Sequence, residues 1–278
     1  MKFGKPLRLE KQDVAKESAR AAEEGFGFVQ LAMRKTLQKL PTHADATNLR
    51  KTLEDHGIEA GLHAPFADVH LANPSAAVRK KSIEKIRKCL PFAAAFESKF
   101  IIIHVGTGVD NLDSETIRAG LEHGAESVAE LAETAGESGL LLCVENKIRP
   151  TFSTLEDLLG LGSIRGVSFC LDTGHVFRSH FEGHGKPPGA AVYGAWLRGL
   201  GKKLAVCHIH DVKMVDGELK DHFPLGDGIF DYKRFIGQLA ETPCEYALLE
   251  VEKCREMPDG NQRMVESLGL AKAALDAR

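Results

Sequence analysis

The chain has 278 residues, of which 43% are hydrophobic and 27% are charged, and its formal net charge is −3. This length allows one large α/β domain or two ordinary ones, and the mildly acidic balance argues against broad electrostatic coating of nucleic acid. No apolar run approaches the roughly 20 residues of a membrane span, and the first residues contain no apolar h-region. We therefore expect a cytoplasmic protein without a secretory signal and without membrane or evident protein partners.

Short apolar strands alternate with longer amphipathic helices along the chain. The predicted strands cover residues 2–9, 27–32, 59–63, 100–104, 140–145, 167–172, 204–208 and 246–251. The predicted helices cover residues 11–24, 44–56, 75–97, 114–138, 154–161, 189–200, 231–240 and 261–274, and the Gly- and Pro-rich residues 183–189 predict a loop. Most strands are continuous apolar runs, which is typical of parallel strands covered on both faces. Eight such units predict a single (β/α)8 TIM barrel domain over residues 1–278, with a doubly wound open sheet as the alternative.

Six consecutive predicted strands end on side chains that can bind a metal ion. In a parallel barrel the carboxyl ends of the strands gather on one face, where active sites form. The residues concerned are His63, His104, Glu145, Asp172 with His175 three positions on, His208 and Glu250, and His222 follows in the loop after the seventh strand. One histidine after a strand carries little information, but this succession predicts a shared site at the barrel mouth.

The chemistry of these side chains predicts a divalent metal ion. Carboxylates and imidazoles suit Zn²⁺, Mn²⁺ or a related ion, and the six cysteines form no C-x-x-C pair that would indicate a thiolate site. Ionised Glu145, Asp172 and Glu250 would raise one another's pKa if they lay close together, and a bound cation would remove that cost. A polar barrel mouth without metal is the alternative.

Motifs around these residues follow one another in the order seen in a known family. Between residues 61 and 250 the chain reads H-A-P-F…N-P, H-x-G-x-G, E-N, D-T-G-H, H-x-H-D-x-K, H-x-x-L-G-x-G and L-x-E. This series resembles the endonuclease IV branch (AP endonuclease family 2) of the xylose-isomerase-like TIM barrels. The resemblance implies a TIM barrel, a site with three zinc ions and nine ligands, and incision of DNA on the 5′ side of abasic sites.

Carried over position by position, the resemblance implies three groups of zinc ligands. They are His63, His104 and Glu145 for the first ion, Glu145, Asp172, His208 and Glu250 for the second, and His175 and His222 for the third. The ninth family ligand is an Asp two residues before the second loop histidine, where this chain has Lys220, and Asp221 stands one residue late. Either Asp221 substitutes after a local shift, or the third ion is weakly held or absent, so two or three zinc ions are expected.

Two reactions fit the sequence. The first is metal-assisted hydrolysis of a phosphodiester at an abasic site, with Glu145 bridging two ions. His63 and His104 favour it, because a one-ion site has no evident use for them. The second is isomerisation or epimerisation of a small sugar or sugar phosphate at a single Mn, Co or Zn ion, with Glu145 and Glu250 transferring the proton. A metal-binding barrel without catalytic activity is a third class.

Two further residues are candidate substrate contacts. Phe66 stands where the family places a tyrosine that contacts damaged DNA, and it either packs against an extrahelical sugar or is buried under its loop. Lys213 closes the H-x-H-D-x-K motif. Against DNA, the chain is mildly acidic, and the loop after the seventh strand lacks the family's glycine-serine-arginine stretch. The basic residues 33–39 do not clearly match the family's DNA-penetrating loop either.

Overall fold

Eight parallel strands close into a barrel surrounded by helices in the computed structural model, which describes residues 1–36, 40–109, 112–148 and 150–278. The strands are β1 (Lys2–Arg8), β2 (Phe28–Ala32), β3 (Glu59–His63), β4 (Ile101–His104), β5 (Leu142–Glu145), β6 (Val167–Asp172), β7 (Leu204–Ile209), β8 (Asp211–Val215), β9 (Glu218–Phe223) and β10 (Tyr246–Leu249). The helices are α1 (Val14–Glu23), α2 (His43–His56), α3 (Ala76–Arg87), α4 (Leu90–Ala95), α5 (Ser114–Glu137), α6 (Leu155–Gly160), α7 (Thr173–His184), α8 (Ala190–Leu200), α9 (Tyr232–Leu239) and α10 (Gly260–Asp276). The barrel order is β1, β2, β3, β4, β5, β6, β7, β10 and back to β1. The prediction of a TIM barrel is confirmed.

The helices differ from the prediction in two places. The predicted helix 75–97 is interrupted between α3 and α4, because Pro91 cannot continue the preceding helix and instead lies in the first turn of a new one that begins at Leu90. No helix was predicted between residues 173 and 188, but α7 begins directly after β6, since the Asp172 side chain caps it by accepting from the His175 N–H. The predicted loop 183–189 therefore begins after His184. None of the helices in the described ranges is long and apolar enough to cross a membrane.

A two-stranded antiparallel hairpin, β8–β9, follows the seventh barrel strand and was not predicted. Asp211 pairs with Phe223 and Lys213 with Lys220, so the two residues Asp221 and His222 stand opposite the single residue 212. This is a β-bulge, a feature that redirects side chains next to active sites. Of the loop after β2, residues 37–39 lie outside the described residues.

Aromatic side chains close the opposite end of the barrel. The ring centroids of Phe28 and Phe100 each lie 5.2 Å from that of Tyr246. Gly61 faces this cluster, and a Cβ at Gly61 would lie 2.2 Å from the Phe100 ring, so only glycine leaves room for the ring. Because these rings fill the barrel at the amino ends of the strands, a site can form only at the carboxyl ends.

Candidate metal centre

The strand register brings the predicted side chains to one face of the barrel. His104 pairs with Glu145 across β4 and β5, and Asp172 pairs with His208 across β6 and β7. These ends surround a pocket of about 140 Å³. The pocket is lined by Arg8, Ala32, Arg34, His63, Phe66, His104, Glu145, His175, His222, Glu250 and Glu252. Six of the eight predicted metal ligands, and Phe66, therefore line one pocket.

Glu145 is the centre of the cluster. Its Oε2 atom lies 3.2 Å from His63 Nε2, 3.1 Å from His104 Nε2 and 3.6 Å from His208 Nδ1. Its Oε1 atom lies 3.5 Å from His175 Nδ1. One carboxylate thus contacts four imidazoles, which is the arrangement expected of a bridging ligand.

A second group of atoms forms around His208. Its Nδ1 lies 3.0 Å from Glu250 Oε2 and 3.8 Å from Asp172 Oδ2. Its Nε2–H donates to Gln30 Oε1 at 3.0 Å, so Nδ1 is the ring nitrogen that faces the carboxylates. Within the described part of the chain, His208 Nδ1 and His104 Nε2 are buried without a hydrogen-bond partner. Buried nitrogens of this kind are expected where a metal ion completes the site.

Hydrogen bonds to oxygen fix the orientation of three other imidazoles. His63 Nδ1–H donates to the carbonyl of residue 64 at 2.9 Å, and His175 Nδ1–H donates to the Asn146 carbonyl at 2.8 Å. His222 Nδ1–H donates to Asp221 Oδ1 at 2.9 Å. In each ring the Nε2 atom is left to act as a ligand, which is the usual way in which a partner outside the coordination sphere sets the tautomer of a metal-binding histidine.

The bulge in β9 determines which side chains the Asp221 carboxylate contacts. Its second oxygen accepts from Arg178 at 3.0 Å, so the carboxylate holds His222 and Arg178 rather than lying free as a ligand. Lys220, in the position of the family Asp, has its Nζ 3.7 Å from Glu218. His222 Nε2 lies 3.6 Å from Glu250 Oε2, and the rings of His175 and His222 are 6.4 Å apart. The third group therefore consists of two histidines with an orienting carboxylate.

The carboxylates of the cluster are ionised, and the imidazole of His104 is neutral. Burial would raise the pKa of the Glu145 carboxyl, but the electrostatic effect of His104 and His208 lowers it well below its ordinary value. Burial would also raise the pKa values of Asp172 and Glu250, but neighbouring histidines lower that of Asp172 and place that of Glu250 well below its usual range. Burial lowers the pKa of His104 to about 4, so its imidazole is neutral at pH 7. Ionised carboxylates beside a neutral imidazole form a donor set that fits divalent ions.

His210 belongs to this cluster and was not predicted. It is fully buried, and its Nε2 lies 3.2 Å from both oxygens of Asp172. Its ring stacks on that of His222 with centroids 4.2 Å apart. The signal was present in the sequence, because the H-x-H spacing of His208 and His210 places both side chains on the same side of an extended chain.

The two candidate substrate contacts have different positions. Phe66 is half-buried at the pocket, and its ring centroid lies 5.2 Å from those of both His63 and His104. Lys213 is exposed on β8, with its Nζ 5.9 Å from the centroid of the Phe223 ring, and it does not line the pocket. Phe66 is therefore placed to meet a ligand in the pocket itself, and Lys213 only a ligand that extends over the hairpin.

The chain matches one protein family and resembles individual proteins over most of its length. A family profile described as xylose isomerase-like TIM barrel matches residues 18–274. An uncharacterized protein of Methanocaldococcus jannaschii is 24% identical over 251 residues, covering 87% of this chain and 80% of that protein. A probable endonuclease 4 of Thermotoga maritima is 26% identical over 243 residues, covering 83% of this chain and 80% of that protein.

Two solved structures show the same fold. D-psicose 3-epimerase from Clostridium cellulolyticum superposes with a TM-score of 0.77 at 15% identity, covering 99% of each chain. Endonuclease IV from Thermus thermophilus superposes with a TM-score of 0.73 at 19% identity, covering 100% of each chain. At these low identities the superpositions establish the barrel fold but do not distinguish between the two reactions.

Proposed function

Because the chain belongs to the xylose isomerase-like TIM barrel family, we propose that it is a divalent-metal-dependent hydrolase that cleaves phosphodiester bonds at abasic sites in DNA. The observation that carries this proposal is the placement of His63 and His104 against Glu145. These histidines stand beside a second set of ligands around His208, which would suffice for a single ion. A site with this surplus of ligands fits two or three zinc ions.

Each part of the cluster has a role in this reaction. Bound divalent ions supply Lewis acidity that polarises phosphate oxygens and lowers the pKa of water. Glu145 would join the two ligand groups, because its carboxylate contacts histidines of both. Asp172 and Glu250 would complete the second group, and His175 and His222 would face the ion next to them. Because His104 is neutral at pH 7, it adds no positive charge that would oppose a bound cation.

Cationic side chains at the pocket support an anionic substrate. Arg8 and Arg34 both line the pocket. Arg8 forms a two-pronged ion pair with Glu252, with its Nη2 atom 2.7 Å from both carboxylate oxygens. Arg34 is exposed, and its guanidinium has no ion-pair partner among the described residues. Guanidinium groups bind phosphate in a forked geometry, so Arg34 is free to meet a phosphate group, while Phe66 offers an apolar surface to the adjoining sugar.

A small-molecule reaction is the second candidate, and pocket size favours it. A volume of about 140 Å³ is below the roughly 300–1,000 Å³ typical of ligand pockets and suits a small sugar or sugar phosphate. Glu250 and Glu145 approach the same His208 nitrogen, at 3.0 Å and 3.6 Å. In a sugar isomerase or epimerase with one Mn or Co ion, these two carboxylates would remove and return a proton.

Incision of a DNA duplex with one abasic site tests the proposal. Zinc-loaded protein should cleave the strand that carries the abasic site and leave a matched intact duplex uncut. It should lose this activity in the presence of a chelator. The variant Glu145→Gln should be inactive. The control variant His56→Asn, at an exposed histidine of α2, should be as active as the parent protein. Absence of cleavage by fully metal-loaded protein would refute the hydrolase. Conversion of a ketohexose to its epimer by the same preparation would then establish the second candidate.

A further inference from the structure

His210 has two hydrogen-bonding contacts that connect separate parts of the metal centre. Its Nδ1 accepts from the backbone N–H of His222 at 3.0 Å. A ring nitrogen that accepts from an N–H is unprotonated, so in the neutral imidazole the proton is on Nε2. That Nε2–H then donates to the carboxylate of Asp172, whose two oxygens lie at the same distance of 3.2 Å.

The backbone contact falls at an unusual point of the chain. His222 has a φ of 64°, in the left-handed region that non-glycine residues rarely adopt, and it is one of the two residues of the β9 bulge. The ring of His210 lies parallel to that of His222, with 10° between the planes. One side chain thus both satisfies the N–H of the bulge and supports the His222 ring.

The surroundings of His210 fix its ring in one place. A Cβ added at Gly174 would lie 2.0 Å from His210 Cε1. The glycine of the D-T-G-H motif therefore leaves the space that the second histidine of the H-x-H-D motif fills. Both motifs are parts of one packed arrangement, in which β6 supplies Asp172 and the hairpin supplies His222.

We propose that His210 is a positioning residue for the metal centre: it holds the Asp172 carboxylate and the His222 backbone in register, and it does not coordinate an ion itself. This inference rests on the proposed metal site and holds for either reaction. A ligand role through Nδ1 is opposed by the bond from His222, and a role through Nε2 would require loss of the proton shared with Asp172. Partners of this kind outside the coordination sphere typically change metal affinity by about 10–100-fold.

Three substitutions separate the two contacts. His210→Phe keeps the ring against Gly174 and His222 and removes both hydrogen bonds. His210→Asn keeps an acceptor near the position of Nδ1 and loses the donor to Asp172, whereas His210→Gln can return a donor at the reach of Nε2. His56→Asn, at an exposed histidine of α2, is the control.

Zinc affinity is measured by competition with a chromophoric chelator, so that no reaction needs to be known. His210→Phe should bind zinc about 10–100-fold more weakly, His210→Gln should regain part of this loss, and His56→Asn should match the parent protein. Unchanged affinity in His210→Phe, or equal weakening in the phenylalanine and glutamine variants, would overturn the proposal.

Nitrogen-15 NMR of the imidazoles, before and after zinc is added, tests the tautomer directly. His210 should carry its proton on Nε2 in both states. Loss of that proton on zinc addition would make His210 a ligand, and a proton on Nδ1 in the metal-free protein would remove the contact to the bulge. Either result overturns the proposal whether or not the protein cleaves DNA.

Discussion

Substitution of Gly174 by alanine gives the sharpest test of how the centre is packed. The new Cβ would lie 2.0 Å from Cε1, 2.8 Å from Nδ1 and 2.9 Å from Nε2 of His210, so the imidazole must move. Overpacking of this kind costs about 1–3 kcal/mol, and a weakened hydrogen bond to an ionised group such as Asp172 adds about 1.5–3 kcal/mol. The better helix propensity of alanine in α7 returns up to about 1 kcal/mol. We expect the free energy of unfolding to fall by about 1.5–6 kcal/mol.

Gly183 provides a matched control in the same helix. A Cβ at Gly183 meets no heavy atom within 4 Å, so Gly183→Ala should be neutral or stabilise by up to about 1 kcal/mol. Urea unfolding in chelator measures the free energies of both variants, and chelator competition measures their zinc affinities. Parent-like stability and zinc affinity in Gly174→Ala would refute the packing of His210 against this helix turn.

Two other substitutions test the ligand groups and a distant ion pair. His63→Ala should lose at least one zinc ion per chain and most of the proposed hydrolase activity, because its Nε2 contacts Glu145, the proposed bridging ligand; full metal content and activity in this variant would contradict the proposed multinuclear site. Glu24→Gln should lower the free energy of unfolding at pH 7 by about 1–3 kcal/mol, because Glu24 lies 2.6 Å from the buried Lys5. Burial would raise the pKa of Glu24, but its bonds to Lys5 and Asn261 lower it below 4.5. This stability is present above pH 4.5 and is lost as the pH falls through the folded-state pKa, so the two proteins should converge in acid-induced unfolding monitored by circular dichroism.

The main features of the site could be predicted because strand ends are marked in the sequence. An apolar run followed by His63, His104, Glu145 or Asp172 shows both where a parallel strand stops and which side chain stands at its carboxyl end. Closure of the barrel then brings together residues that are far apart along the chain. Strand pairing confirms this for His104 with Glu145 and for Asp172 with His208.

Features that depend on local geometry could not be predicted from spacing. The role of Asp221 follows from a one-residue bulge, which linear spacing does not show. Helix α7 depends on capping by Asp172, a residue whose position at a strand end indicates only a metal ligand. The contact of His210 with Gly174 joins two motifs that are separated in sequence, so neither motif alone indicates it.

The metal content of the purified chain tests the central claim most directly. Protein is stripped with chelator, reloaded with zinc, freed of excess ion and analysed by elemental mass spectrometry against its concentration. The convergence of the predicted ligands on one barrel mouth predicts two or three zinc ions per chain, falling by at least one in His63→Ala. One ion or none in the parent protein would contradict a multinuclear centre, and a single retained Mn or Co ion would favour the sugar isomerase.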